Sequence, residues 1–359
     1  MFLWSFFSAL VGLGVALLVV DKLISAPRYK EGTSNHFNGK KFVNPHELEE
    51  HHYGDVLKWW FSGNDKGSWF RLYREDLPDP RKPQPSVDSR ELQVTFVNHA
   101  TFLLQFDGLN ILTDPIWNHR ASPYQWIGPK RMRPPGLEFN DLPPIDTVLI
   151  SHNHYDHLDL QTVKNLQQAH DPTFVVPLGV EQFLHEHNID KTVHLDWWNR
   201  HRFSKKLTLT AVPARHFSGR GLFDRNKTLW CGYVLHTALG NIYFAGDTGY
   251  GEFFHEIGQR FGPMHTSFIP IGAYKPRWFM ESIHLSPREA VQAHREVQSR
   301  QSFAMHFGTF PLADDGMYEA TNELRTALAD EPLLRDQFLI PVEGERHIIP
   351  ASQTKAEAF

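Results

Sequence analysis

The sequence predicts an α/β chain in which two mixed β-sheets pack face to face with helices on their outer sides. Three observations carry this expectation. Short β-rich runs come in two batches, and helical patterns alternate with them, so each batch has helices to cover it. The chain is 359 residues long and 41% hydrophobic, enough to bury a sizeable core. Charged residues are 21% of the total, a globular proportion that excludes a disordered or collagenous chain.

The first element is an apolar run from Phe2 to Val20 that contains no charge. As a helix it extends roughly 28 Å, close to the ~30 Å hydrocarbon core of a bilayer, so residues 1–24 are expected to form an uncleaved transmembrane anchor. A signal peptide is the competing reading. It is disfavoured because no Lys or Arg precedes the run and Pro27 follows the small residues Ser25 and Ala26. Lys22, Arg28, Lys30, Lys40 and Lys41 all follow the run, so the positive-inside rule places the remainder of the chain in the cytoplasm. Residues 25–90 read as a linker and aromatic-rich extension carrying Trp59, Trp60, Phe61, Trp69 and Phe70, with a Pro-rich extended stretch over 77–85.

Residues 91–350 carry the periodic elements of a single domain. The first strands are expected at 92–97, 101–106, 109–113 and 147–150, and later ones at 173–176, 207–211, 229–235, 241–244, 267–271 and 302–305. Helices are expected at 160–169, 180–187, 252–261, 287–299 and 317–329. The net charge of −5 gives no reason to expect a nucleic-acid partner. The single cysteine, Cys231, excludes an internal disulfide framework and a Cys-rich zinc module.

Histidine is abundant, at 22 residues, and its arrangement is informative. Ser151-His152-Asn153-His154-Tyr155-Asp156-His157 follows an apolar strand and precedes a helix. Three imidazoles and a carboxylate on one strand-end loop are a ligand set suited to zinc. One loop cannot complete two metal sites, and three more candidates stand at other strand ends: His216, Asp247 and His306. Singly each has an ordinary explanation as a cap, a turn or a core-edge residue. Together they supply the missing coordination.

The HxHxDH loop, the later histidine, the Asp247 in GDTG and the final histidine resemble the metallo-β-lactamase fold, an αββα sandwich with its site at the sheet edges. The stretches NHATFLLQFDGLNILTDPIW, GPKRMRPP, SHNHYDHLD, FAGDTGY, GAYKPRWFM and HFGTF resemble one branch, N-acylphosphatidylethanolamine-hydrolysing phospholipase D. This resemblance implies two zinc ions per chain, with iron or manganese as substitutes. It puts His152, His154 and His216 on one, Asp156, His157 and His306 on the other, and Asp247 between them. It also implies a membrane phospholipid cleaved to phosphatidic acid and N-acylethanolamine.

Two such metals can clamp a phosphodiester and acidify a water between them, whose hydroxide attacks phosphorus in line. Asp247 holds both metals in this scheme, and Asp156 also orients the hydroxide. His284, just before the helix at Pro287, is the candidate for assisting the leaving oxygen. Lys275 and Arg277, beside Trp278 and Phe279, are candidates for the lipid phosphate, and Tyr155 stands beside the ligands. The expected partners are the phospholipid and a membrane, with a homodimer allowed. A dimetal lactonase or other carboxyl-derivative hydrolase shares the ligand set, and a non-enzymatic membrane protein that merely kept the fold is the reading of another class.

Overall fold

A computed structural model describes residues 2–30, 32, 34–44, 53–62, 66–78, 82–87 and 91–351. The first sheet is built from strands β1 (Glu91–Asn98), β2 (Thr101–Phe106), β3 (Leu109–Thr113), β4 (Thr147–Leu149), β5 (Thr173–Pro177) and β6 (Thr192–Leu195). The second contains β7 (Arg200–Arg202), β8 (Thr208–Val212), β9 (Gly232–Thr237), β10 (Gly240–Phe244), β11 (Met264–Pro270), β12 (Ser302–Met305) and β13 (Phe338–Leu339). The chain then returns to the first sheet as β14 (Arg346–Pro350), beside β1. The orders are β14-β1-β2-β3-β4-β5-β6 and β13-β12-β11-β10-β9-β8-β7. Each sheet is antiparallel through one half and parallel through the other.

Alternation along the strands decides which layer each side chain enters. On β2, Phe102, Leu104 and Phe106 point between the sheets, while Leu103 points to the outer helices. On β5, Val175 enters the inter-sheet core, and Phe174 and Val176 face outward. Phe102 meets Phe268 of the opposite sheet with ring centroids 4.6 Å apart. The outer face of the first sheet is covered by α3 (Leu160–His170) and α4 (Val180–His185), through Val163, Leu166, Phe183 and Leu184. Over the second sheet lie α5 (Phe253–Phe261), α7 (Pro287–Glu296) and α8 (Glu319–Ala329), with the one-turn α6 (Arg277–Met280) just ahead of α7. Ser286 caps α7 through a capping box with Glu289, and Pro287 occupies its first turn, the strongest start signal in the chain.

Two further helices precede the sheets, α1 (Phe2–Ile24) and α2 (Tyr53–Phe61). The expectation of a single-pass anchor, and of a chain held in a membrane by it, is corrected here. Among the described residues no helix is long and apolar enough to cross a membrane. The uninterrupted apolar stretch of described side chains in α1 runs from Gly14 to Val20, about 10 Å of helix against the ~30 Å needed, before Asp21 and Lys22. The rest of the predicted span, with its side chains up to residue 11 and at 13, lies outside the described side chains. At the end of α1 the chain turns onto the domain. Asp21 is buried and its carboxylate accepts the N–H of Leu222, and Ala26 N–H donates to Asp224 at 2.8 Å. The topology inferred from the basic residues falls with the anchor.

The segment read as a linker is tied to the domain where it is described. Phe42 N–H donates to Asn226 O, Gly67 N–H to Asp314 O and Leu72 N–H to Met132 O. Residues 79–81 of the Pro-rich stretch lie outside the described residues.

A buried ion pair pins the loop between β3 and β4 to the turn before β14. Arg133 Nη1 donates to Glu343 Oε1 at 3.2 Å, with Glu343 fully buried and the guanidinium 5.0 Å from the ring centroid of Tyr318. Gly308, at φ +65°, is the residue the guanidinium lies against: a Cβ there would stand 2.8 Å from it. Removing the cation takes away the guanidinium that donates to the buried Glu343 carboxylate. Arg133→Ala is expected to cost about 3–5 kcal/mol in urea unfolding. A loss below about 1 kcal/mol would show that the pair is not structural.

Candidate metal centre

The strand ends converge at one edge of the sandwich. Asp114 follows β3, the loop 151–157 follows β4, His216 follows β8, Asp247 follows β10 and His306 follows β12. All seven ligand candidates meet there. His154 Nδ1 lies 2.8 Å from His152 Nε2 and 3.2 Å from His216 Nε2. Asp156 Oδ2 lies 3.2 Å from the Nε2 atoms of both His157 and His306. Asp247 Oδ2 stands between the two groups, 3.2 Å from His157 Nε2, 3.0 Å from His306 Nε2 and 3.8 Å from His216 Nε2.

These separations test whether a metal fits. Atoms bound tetrahedrally to one ion at zinc distances stand about 3.3 Å apart, so contacts of this length match coordination edges. His157 Nε2 is buried and makes no hydrogen bond of regular geometry, although two carboxylate oxygens stand 3.2 Å away, and Asp247 Oδ1 has no partner either. Buried polar atoms are rarely left so. The donor set is imidazole and carboxylate, which suits zinc and also iron or manganese.

The surrounding hydrogen bonds aim the ligand nitrogens inward. His157 Nδ1–H donates to Asp114 Oδ2 at 2.6 Å, and His216 Nδ1–H to Ile283 O at 2.9 Å, each turning Nε2 toward the other candidate ligands. Ser151 Oγ donates to Asp114 and so accepts from His152 Nδ1, which leaves His152 Nε2 bare. Asn153 Oδ1 accepts the N–H of Gly219, and Arg215 N–H donates to Thr248 Oγ1, so the ligand loops are tied to one another. Gly246, at φ +63°, precedes Asp247, and a Cβ there would stand 2.6 Å from Ser151 Cβ.

The other predicted residues are placed differently. His284 lines the centre, with Nδ1 3.9 Å from Asp247 Oδ2 and without a hydrogen bond. Burial pushes its pKa down to about 3, so it is neutral. Lys275 is paired with Glu319 and with Glu323 at 3.1 Å, and Arg277 with Glu289 at 2.9 Å. Arg277 also donates to His284 O at 3.0 Å, and Tyr155 Oη to Arg220 O at 2.7 Å. None of these three is among the residues that line the cavity over the ligands. Sequence reasoning missed Asp114 and His99, both of which stand at strand ends, as well as Asn44 and Arg225, which line that cavity.

Buried charge here is balanced within the cluster. Burial alone would raise Asp156 and Asp247, but His157 and its neighbours hold both carboxyls well below the usual carboxylate range. Burial lowers His306, yet Asp247 and Asp156 raise it from 6.5 to about 9. A base raised in this way contributes stability in full below pH 6.5, and that contribution is lost as pH rises through about 9. Chelator-stripped protein is therefore expected to lose on the order of a few kcal/mol of unfolding free energy across that window. Zinc-loaded protein, in which metal takes the place of that proton, is expected to show a much flatter profile. Equal profiles with and without chelator would count against the assignment.

The model of the Beta-lactamase superfamily domain matches residues 109–307. An uncharacterised protein of Mycobacterium tuberculosis is 39% identical over 290 residues, which cover 77% of this chain and 76% of that one. The N-acyl-phosphatidylethanolamine-hydrolyzing phospholipase D 1 of Caenorhabditis elegans is 37% identical over 263 residues, 70% of this chain and 74% of that one. Among solved structures, the metallo hydrolase Igni18 of Ignicoccus hospitalis shares the fold, with a TM-score of 0.56 at 18% identity, covering 73% of this chain and all of that one. With its ligand-bearing strand ends inside the matched region, the chain belongs to the beta-lactamase superfamily and is a metal-dependent hydrolase.

Proposed function

We propose that this hydrolase is a phosphodiesterase of the phospholipase D type, acting on an N-acylated phosphatidylethanolamine with zinc as its metal. The cavity carries the reading. It holds about 380 Å³, with His154, Asp156, His216, Asp247 and His306 at its polar end and Val56, Trp59, Phe217, Phe279, Met280 and Leu312 along its apolar wall. A phosphate head against the ligands and an acyl chain along that wall suit this division. The names of relatives at this level of similarity in a worm and in yeast support the same substrate class.

When bound, a metal pair supplies Lewis acidity toward the phosphoryl oxygens and a lowered pKa for water. The chain's own residues do the rest. Asp156 and Asp247 are held as carboxylates by the histidines around them, and Asp247 spans the two ligand groups. Arg225, its guanidinium 4.2 Å from the ring centroid of Phe217, brings positive charge to the cavity wall for the phosphate. Neutral His284 offers an N–H toward the leaving oxygen and is braced by Arg277. Lys275 and Tyr155 act further out, Lys275 between two carboxylates and Tyr155 against the Arg220 loop.

Hydrolysis breaks the bond between phosphorus and the ethanolamine oxygen. Water oxygen ends on phosphatidic acid, and the freed N-acylethanolamine gains a proton. In ¹⁸O-water, mass spectrometry should find label in phosphatidic acid alone. Label in the N-acylethanolamine would mean attack at carbon and sink the mechanism. Brisk turnover of a lactone or nitrocefin with none of any N-acylated phospholipid would leave the carboxyl-derivative hydrolase standing instead.

His284→Ala is expected to lower kcat about 10²–10³-fold, with KM and metal content kept. Unchanged kcat would remove His284 from the chemistry, and lost metal would recast it as a ligand.

A further inference from the structure

We infer that His99 is the residue that positions Asp156 for its metal, by donating Nε2–H to the carboxylate oxygen that faces His157 and His306. The inference rests on reading Asp156, His157 and His306 as ligands of one metal. His99 occupies the turn between β1 and β2, buried, with its Nε2 2.9 Å from Asp156 Oδ2. That same oxygen stands 3.2 Å from the Nε2 atoms of His157 and His306. Three imidazole nitrogens thus converge on one oxygen. The first is the shortest of the three and an ordinary hydrogen-bond length, and the other two, although the His306 contact is also within hydrogen-bond reach, match coordination edges.

The tautomer follows from the partner. An ionised carboxylate only accepts, so the bond requires the proton on His99 Nε2. Nδ1 is then bare, and it has no hydrogen-bond partner. While Nε2 carries that proton it cannot itself ligate, so His99 acts through Asp156 and not on the metal. The donor occupies one lone-pair direction of Oδ2 and leaves the remainder to the ion. Without it, the carboxylate is free to turn about its terminal torsion and to bind through either oxygen.

The turn is built to hold this ring. His99 adopts φ +49°, a left-handed conformation uncommon outside glycine and often kept where function requires it. Its N–H donates to Thr309 Oγ1 at 3.1 Å, and its carbonyl accepts the N–H of His306 at 2.8 Å. The neighbouring Thr101 Oγ1 donates to Asp114 O at 2.7 Å. The turn is therefore fastened to the strand ends that carry His306 and Asp114, and the ring lies 4.1 Å from that of His306.

The test uses the full chain and two variants that differ by one methylene. Asn tolerates positive φ, so His99→Asn keeps the turn, but its amide stops near the position of Nδ1 and cannot reach Asp156. His99→Gln places an amide N–H close to the position of Nε2. Zn²⁺ affinity is measured by chelator competition and stoichiometry by elemental analysis, with near-ultraviolet circular dichroism as the control for folding. His99→Asn is expected to weaken one of two Zn²⁺ equivalents about 10–100-fold and spare the other, and His99→Gln to recover most of that loss. Two equivalents of unchanged affinity in His99→Asn would overturn the positioning role while leaving the ligand assignment intact. Simultaneous loss of both in folded protein, or a Gln variant no better than Asn, would overturn it as well. Fewer than two equivalents in the wild-type protein would instead defeat the ligand assignment on which the inference rests.

Discussion

Asp114 is the residue on which the centre depends. Its carboxylate is completely buried and carries three bonds, from Ser151 N–H at 2.7 Å, Ser151 Oγ at 2.6 Å and His157 Nδ1 at 2.6 Å. An unpaired carboxylate in that position is costly, so the loop after β4 is held where it can supply all three donors. Ser151 passes the constraint to His152, and His157 turns its other nitrogen toward Asp156 and Asp247. One acid at a strand end thereby orients two candidate ligands from another strand. Asp114 itself sits at φ +31°, a local cost the three bonds offset.

The strand ends can converge only because the sheets are fixed against each other. Phe96, Phe102 and Leu104 interleave with Tyr233, Phe268 and Phe303 in one dry layer, and close packing gives that layer little freedom to shear. Ligands from the first sheet and from the second then face each other at coordination distance with no hinge between them. The close approach of Gly272 to the carbonyl of His306, where a Cβ would stand 2.0 Å away, shows how little room the β11 and β12 ends leave.

The strand alternation and the HxHxDH loop made the two-sheet plan and the ligand candidates legible in the sequence. What was illegible had physical reasons. Strands β6, β7 and β13 are two to four residues long, and β6, β7 and β14 carry at most one buried side chain each, so alternation gives little signal. The apolar run at the start of the chain read as an anchor because composition does not register that Asp21 folds inward onto the loop at Leu222. Lys275 and Arg277 read as phosphate ligands because their acidic partners, Glu319, Glu323 and Glu289, are distant in sequence and close only in the fold. His99 was legible in principle. It follows β1 as Asp247 follows β10, but it precedes the HxHxDH loop in the chain and has no other imidazole or carboxylate beside it in sequence to mark it.

The charge of the centre explains why these residues are held together at all. Two buried carboxylates beside five imidazoles need positive charge, and with no ion His157 and His306 supply it as imidazolium groups, each pulled up by Asp247 and Asp156 against the effect of burial. His152, His154 and His216 are pushed the other way, chiefly by burial, toward the neutral form a ligand requires. The two halves are therefore unequal before any metal arrives. The three-histidine group is ready to bind without losing a proton, whereas the group around Asp156 exchanges protons for metal. The half that must release protons is also the half where His99 and Asp114 supply the outer hydrogen bonds, one on the carboxylate and one on the imidazole. Orientation there has to survive a change of charge, and neutral or acceptor groups fastened to other strand ends can hold it through that change.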